Sequence, residues 1–400
     1  MSDDIALTKL ALETRIKTHM AWEEANQPYP ESADEVPISA EYFTRAWLND
    51  ALCAKVPGAE VEAFRFIGDA NIGTTARRYT EIMYNAAGEA AGLPKRLFAK
   101  ATPEFVSRYV CGISGAIASE VNFYNVIAPM LPNVEVPVCY HAAYEPDSFR
   151  SIFLFEDASI TKGARFLDGT YRLSRTEAES MIRTTAALHS RFWGDPILDT
   201  QFTWLKNPYA YQLHINDMIG FTEYGSTGLG VAIVTGMLPE ALARRADMLW
   251  PAMIEACRIR AEAPRLLVHA DIHLGNWYLT ENGVMGLCDW QCTVNGGWAS
   301  DLAYAISSSL DVAERRGWEK ELVQLYLDAL DLPAGQVKPS FDAAWLAYRQ
   351  QMLHGFYNWM FVVAIAAGQK MLHSNAITLA NVNRMATAID DHDTLGALGF

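Results

Sequence analysis

The sequence predicts an α+β protein in two lobes, a smaller α/β lobe first and a larger, mostly helical lobe after it. Three observations lead there. Short runs such as Arg96-Leu97-Phe98-Ala99-Lys100 and Ser151-Ile152-Phe153-Leu154-Phe155 read as strands within the first 155 residues. Beyond Asp157, apolar residues recur mainly at helical spacing. Residues 266–290 are the exception in that second part, where short strand-like runs return.

The bulk composition fits a soluble enzyme. Half of the 400 residues are hydrophobic and a fifth are charged, enough apolar material for a large core and more than one domain. The net charge of −15 argues against general nucleic-acid binding and against docking on anionic lipid, because phosphate surfaces reward Lys and Arg. The six cysteines are scattered without a CxxC pair, so neither a zinc site nor a disulfide framework is expected. Met1-Ser2-Asp3-Asp4 lacks the basic start of a signal peptide, and the longest apolar stretch, 360–368, is about half a membrane span. These readings predict a cytoplasmic protein, monomer or homodimer, with no membrane and no nucleic-acid partner.

In chain order, residues 1–45 form a helical extension that ends in a Pro- and acid-rich connector from Gln27 to Val36. Residues 46–157 make the first lobe. Within it Ile113, Ile117, Val121, Tyr124 and Ala128 recur at helical spacing until Pro129. The second lobe is expected over 158–400. Ser174 and Glu177 form a capping box that opens a helix, with further helices around 238–262, 300–310, 315–330 and 342–370.

The densest chemistry lies in Leu266-Leu267-Val268-His269-Ala270-Asp271-Ile272-His273-Leu274-Gly275-Asn276, followed by two strand-like arms and Asp289-Trp290. Asn282-Gly283 suits a type I′ hairpin turn between those arms. A hairpin returns the chain to its start, so Asn276 and Asp289 should lie side by side. An amide oxygen with a carboxylate makes a hard, oxygen-rich site suited to Mg²⁺. Asp271, one short loop upstream, is placed to orient a hydroxyl and accept its proton. Phosphoryl transfer needs this division of labour, a metal on the phosphates and a separate base. The alternative is a surface hairpin decorated by polar side chains.

Two charges in the first lobe point the same way. Lys100 sits on the face of its strand that carries Arg96 and Phe98, and Glu120 lies on the inward stripe of its helix. A carboxylate there is costly unless paired, and Lys100 is its natural partner. Such a lysine holds α- and β-phosphates while the glutamate holds the lysine. The alternative is a structural ion pair. Gly68 and Gly73, with Thr74 and Thr75, form a candidate phosphate-capping loop, for which an ordinary strand turn is the alternative. No GxxxxGK[ST] run occurs, which excludes a P-loop enzyme.

The run HADIHLGN followed by CDW resembles the catalytic segment of the aminoglycoside phosphotransferase and choline kinase superfamily. The segment Glu120-Val121-Asn122-Phe123-Tyr124 and the helix end Leu188-His189-Ser190-Arg191-Phe192-Trp193 resemble its ecdysteroid-kinase-like branch. The resemblance spans roughly residues 60–310. It implies a protein-kinase-like bilobal fold, ATP or GTP with Mg²⁺ as cofactors, Asp271 as catalytic base, and Asn276 and Asp289 as metal ligands. It further implies that His269 and His273 brace the loop, as does Asp301 in the following Asp-Leu-Ala run. Adenine would then bond backbone groups at Phe155, Glu156 and Asp157. His189 and Trp193 read as packing residues.

The acceptor is expected to be a small molecule with a hydroxyl group. Trp204, Tyr209, Tyr211, His214, Trp298, Tyr357 and Trp359 are candidate lining residues, which favours an apolar or ring-bearing alcohol or phenol. A cationic acceptor of the aminoglycoside or choline type is the second reading, and a non-catalytic nucleotide- or ligand-binding module the third. A protein kinase is disfavoured by Asp-Trp in place of Asp-Phe-Gly.

Overall fold

The computed structural model describes residues 3–72, 75–219, 228–230, 232–233, 235–366 and 375–400. The chain divides into two compact units, Met1–Met130 with Pro137–Gly163, and Leu131–Val136 with Ala164–Phe400.

The first unit is built on a five-stranded antiparallel sheet in the order β1-β2-β3-β5-β4. The strands are β1 (Val61–Ile72), β2 (Ala76–Tyr84), β3 (Arg96–Ala101), β4 (Cys139–Tyr144) and β5 (Ser151–Glu156). Helix α1 (Asp3–Asn26) precedes α2 (Arg45–Cys53), whose first turn is closed by the Thr44 side chain accepting from the Trp47 amide. Trp47, Leu48 and Leu52 of α2 join Leu97, Ala99 and Ala101 of β3 and Ile152 and Leu154 of β5 in one apolar cluster. Strand alternation then puts Lys100 on the opposite face of β3. Strand β5 lies between β3 and β4 and is buried along its whole length, which explains its apolar run.

The helix expected across 113–128 is broken. Helix α3 (Phe105–Ser114) ends at Gly115, which takes a left-handed φ of 69°, and α4 (Ala116–Asn122) starts afresh. Glycine adopts that conformation without a Cβ penalty, so the apolar stripe continues across a break that periodicity alone cannot show. A π-type turn, Phe123–Ile127, and a 3₁₀ turn, Ala128–Met130, carry the chain past Pro129.

The second unit is mostly helical. Its helices are α5 (Arg175–Arg191), α6 (Pro208–Ile219), α7 (Ala246–Glu262), α8 (Ala299–Ser309), α9 (Val312–Ala329), α10 (Phe341–Gln350), α11 (Leu353–Ala366) and α12 (Asn375–Asp391). The Ser174–Glu177 capping box opens α5. Every residue of α8 is buried, so it forms the centre of the unit. Strands β6 (Arg165–Phe166), β8 (Trp277–Leu279) and β9 (Met285–Leu287) form one antiparallel sheet, and β7 (Leu266–Val268) pairs with β10 (Val294–Gly296). No helix among the described residues is long and apolar enough to cross a membrane.

The β8–β9 hairpin turns differently from expectation. Gly283 has φ 77°, but Asn282 is not left-handed. The Gly283 amide bonds the Thr280 carbonyl and the Thr280 amide bonds the Val284 carbonyl, which is a three-residue loop closed by a left-handed glycine. The register moves with the loop: Trp277 faces Leu287 and Leu279 faces Met285, one residue away from the pairing that a two-residue loop at Asn282-Gly283 would set.

The unit boundaries also differ from the lobe boundaries read off the sequence, for local reasons. Residues 158–163 stay with the sheet because Asp157 caps the turn through the Ser159 amide and Lys162 pairs with Glu156 at 2.9 Å. Residues 131–136 join the helical unit, where Glu135 accepts from the Tyr278 hydroxyl at 2.7 Å and from the Leu287 amide at 2.9 Å. The first 45 residues belong to the sheet unit, held by Glu23 on α1 in a two-pronged pair with the fully buried Arg108 on α3.

Candidate active site

The loop from His269 to Asn276 leaves β7 at the centre of the helical unit. Its shape is set from α8. The Asp301 carboxylate, fully buried in the first turn of that helix, accepts the His269 amide at 2.8 Å and the Ala270 amide at 2.9 Å. His189 of α5 lies 3.3 Å away through Nε2 and is itself held by the Tyr326 hydroxyl at 2.8 Å. Burial alone would raise the Asp301 pKa. The hydrogen bond and electrostatic attraction of His189, with the Ala270 amide, outweigh it and hold the carboxyl below its ordinary range. These bonds keep Ala270 at φ 64°, a conformation costly for a residue with a Cβ. On the far side, His354 of α11 donates from Nε2 to the Ala270 carbonyl at 2.7 Å.

That bend presents Asp271, whose side chain keeps 18% of its surface open. The Tyr304 hydroxyl donates to its Oδ1 at 3.3 Å, and the Asn276 amide donates to its carbonyl oxygen at 2.6 Å and reaches its Oδ2 at 3.3 Å. Tyr304 is in turn fixed by the Trp359 indole N–H at 2.9 Å. Burial, and then the charge of Asp271, push the Tyr304 phenol well above its usual pKa, so it stays a donor. With its NH₂ committed to Asp271, Asn276 has its carbonyl oxygen directed elsewhere.

The hairpin returns the chain to the loop, with Cys288 opposite Asn276. The Cys288 amide donates to the Asn276 carbonyl at 2.9 Å, which brings Asp289 in beside that residue. Asp289 also adopts a left-handed conformation, φ 64° and ψ 67°. His269 ties the two segments together. Its Nδ1 accepts the Asp271 amide at 3.2 Å and its Nε2 donates to the Cys288 carbonyl at 3.0 Å, an assignment that makes both bonds at once. Burial lowers its pKa and favours this neutral ring, against the charges of Asp301 and Asp271. His273 folds back onto its own loop, accepting the Gly275 amide at 3.1 Å, with its ring edge-on to Trp359. Its Nε2 is 3.8 Å from Asp271, beyond hydrogen-bond range.

Oxygen donors at Asn276 and Asp289 form a set chemically suited to Mg²⁺ rather than to zinc. Among the described residues no group of three or more His, Cys, Asp or Glu side chains could hold a metal by itself.

In the sheet unit, Lys100 and Glu120 meet. The ammonium lies 2.8 Å from both carboxylate oxygens, and the residues are 6% and 3% exposed. Thr75 is buried beside the β1–β2 turn, and its hydroxyl has no hydrogen-bond partner among the described residues. Gly73 and Thr74 lie outside the described residues. The side chains of Glu156 and Asp157 turn inward, Glu156 to Lys162 and the Val138 amide, Asp157 to Arg96 at 2.7 Å. The Glu156 amide is spent on the Val138 carbonyl.

Of the aromatic residues considered for the acceptor, Trp298, Tyr357 and Trp359 are core residues. Trp298 stacks on Tyr326, Tyr357 packs against Trp250, and Trp359 supports Tyr304. Trp204, Tyr209 and Tyr211 are half-buried and His214 is exposed. Three supporting residues escaped the sequence reading: Tyr304, His354 and the bonding role of His189. Only Tyr304 had a signal, since it follows Asp301 by three on the same helix and so shares its face.

The chain belongs to the phosphotransferase enzyme family, whose sequence profile matches residues 114–336, more than half of its length. No curated protein matches it in sequence. It is similar to solved structures of choline kinase LicA from Streptococcus pneumoniae (14% identity, 84% of this chain and 94% of that one, TM-score 0.44). Others are an ethanolamine kinase from Plasmodium vivax (10%, 82% and 82%, 0.45) and an aminoglycoside phosphotransferase from Alicyclobacillus acidocaldarius (12%, 87% and 94%, 0.43). These likenesses are too distant to say anything of its substrate.

Proposed function

We propose that the protein is a small-molecule kinase that transfers the γ-phosphoryl group of ATP or GTP to a hydroxyl of a small organic acceptor, with an apolar or ring-bearing alcohol or phenol preferred. The observation that carries this reading is the convergence of Asp271, Asn276 and Asp289 on a loop and hairpin held by one buried carboxylate, Asp301.

In this reading Asp271 orients the acceptor hydroxyl and takes its proton as the oxygen attacks phosphorus. The Tyr304 hydroxyl and the Asn276 amide hold the carboxylate in one rotamer, which is the positioning such a base needs. Asn276 and Asp289 would hold Mg²⁺, which supplies charge neutralisation on the phosphates. Lys100, fixed by Glu120, would grip the α- and β-phosphates. The loop carrying Gly73, Thr74 and Thr75 would cap them, with the Thr75 hydroxyl, unpartnered among the described residues, as one donor. His269, His273 and Asp301 keep the loop in shape. Glu156 and Asp157 act through their backbone and their fixed position.

Thermal melting with ATP or GTP, with and without Mg²⁺, tests the nucleotide site; a ligand at about a hundred times its Kd stabilises by roughly 2.7 kcal/mol. Asp289→Ala is expected to remove the magnesium-dependent part of the shift. Asp271→Ala is expected to keep it and to lose at least about a hundredfold in transfer to a hydroxyl acceptor. Undiminished transfer by Asp271→Ala refutes the base assignment.

A further inference from the structure

The deeply buried arginines of this protein are paired with carboxylates, with one exception. Arg108 is bound by Glu23, Arg315 by Glu319 and Asp391, and Arg384 by Asp311. Arg260, near the end of α7, is 3% exposed and makes no ion pair or side-chain hydrogen bond among the described residues; its Nε and Nη1 are shut off from solvent without a partner. A guanidinium does not give up its proton in a protein, so this is a buried charge with no counter-charge among the described residues, which folding alone would select against.

Its surroundings belong to the helical unit beside the Asp271 loop. A Cβ on Gly296 of β10 would stand 3.4 Å from the Arg260 stem and 3.0 Å from Pro208, the first residue of α6. His354 feels the guanidinium charge, which adds to burial in depressing its pKa, and the same ring bonds the carbonyl of Ala270, one residue before Asp271. Three more polar atoms on these elements are buried without partners among the described residues: Nδ1 of His354, Oδ1 of Asn295 on β10 and Nε2 of Gln212 on α6. Helix α6 also carries the half-buried Tyr209 and Tyr211.

We infer that Arg260 anchors a carboxylate of the acceptor, which is therefore a hydroxy acid with an apolar or aromatic body. The inference rests on the kinase reading for identifying the ligand as the acceptor. A guanidinium fork matches a carboxylate through two parallel N–H bonds, and the ligand would supply the counter-charge that the protein does not. A cationic acceptor would meet like charge here. A free inorganic oxyanion offers the same chemistry, and the experiment separates the two.

Melting temperatures of the intact protein would be compared in 4-hydroxyphenylacetate, in its neutral counterpart 2-(4-hydroxyphenyl)ethanol and in inorganic phosphate, for wild type, Arg260→Met and Arg260→Lys. Wild type is expected to rise with the hydroxy acid and not with the alcohol. Arg260→Met should lose that rise, and should melt higher than wild type in anion-free buffer because an unpaired buried charge is gone. Arg260→Lys keeps the charge without the fork, and its affinity for the acid should fall roughly tenfold or more, which covers the case in which the Met variant does not fold. A wild type that ignores the hydroxy acid, a response to phosphate alone, or an Arg260→Met protein that melts lower and answers the acid like wild type would each overturn the assignment. The Mg²⁺-nucleotide shift should be equal in all three proteins. Its absence from wild type would instead count against the kinase reading.

Discussion

Replacing Asp301 by asparagine exchanges one carboxylate oxygen for an NH₂ group and should loosen the loop that carries Asp271. The carboxylate accepts two buried amides, His269 at 2.8 Å and Ala270 at 2.9 Å, one on each oxygen. An asparagine has one acceptor oxygen, and its NH₂ must point at the other amide. One buried donor is then left without a partner, at about 1–3 kcal/mol, and the surviving bond loses its charge assistance, about 1 kcal/mol more. The held φ of 64° at Ala270 adds to the drive to open, because that conformation persists only while its surroundings enforce it. A total near 3 kcal/mol corresponds to roughly a hundredfold faster amide exchange by local opening. Hydrogen exchange read by mass spectrometry on peptides covering 266–271 measures this directly, and avoids treating a two-unit chain as one cooperative transition. Peptides in α9, remote in sequence, serve as the internal control. Unchanged exchange at 269–271 in Asp301→Asn would refute the view that this carboxylate holds the loop.

Other perturbations follow from the same contacts. Lys100→Met strands the Glu120 carboxylate in the interior and should cost about 3–5 kcal/mol; adding Glu120→Gln should restore most of the stability, read by denaturant titration, but not the nucleotide-induced melting shift. His354 has a folded pKa depressed from 6.5 to about 3 by burial and by Arg260, so its contribution is complete above pH 6.5 and is lost as the pH falls toward 3. At pH 5 the loss is about 2 kcal/mol, and His354→Gln should flatten that part of the stability–pH curve; parallel curves for variant and wild type would contradict it. Gly355→Ala would place a Cβ 2.2 Å from the Tyr304 ring, so Tyr304 must move off Asp271. We expect a loss of about 1–3 kcal/mol and slower phosphoryl transfer with nucleotide binding retained; a variant of full activity would show that the Tyr304 contact is dispensable.

Much of the candidate site was legible because it is contiguous. Asp271, Asn276 and Asp289 lie within one loop and one hairpin, and the Gly283 turn fixes how far the chain travels before it returns. The Lys100–Glu120 pair was legible for a different reason. A charge on an apolar stripe must find its opposite, and the first lobe offered one natural partner for it. The turn type was misread because Asn282-Gly283 serves a two-residue and a three-residue loop alike, and only the hydrogen bonds choose between them.

The sequence by itself determined the two-part α+β architecture, the strands flanking the loop and the residues grouped on it, since each follows from periodicity, turn chemistry or spacing along the chain. Only the tertiary structure decided what holds that group still. Tyr304, His189 and His354 come from three helices remote from the loop, and Arg260 shows its missing counter-charge only once every neighbour is in place. Periodicity reports which face of a helix is buried. It does not report which distant backbone group a polar side chain on that face will meet, because that is settled by packing between helices far apart in sequence.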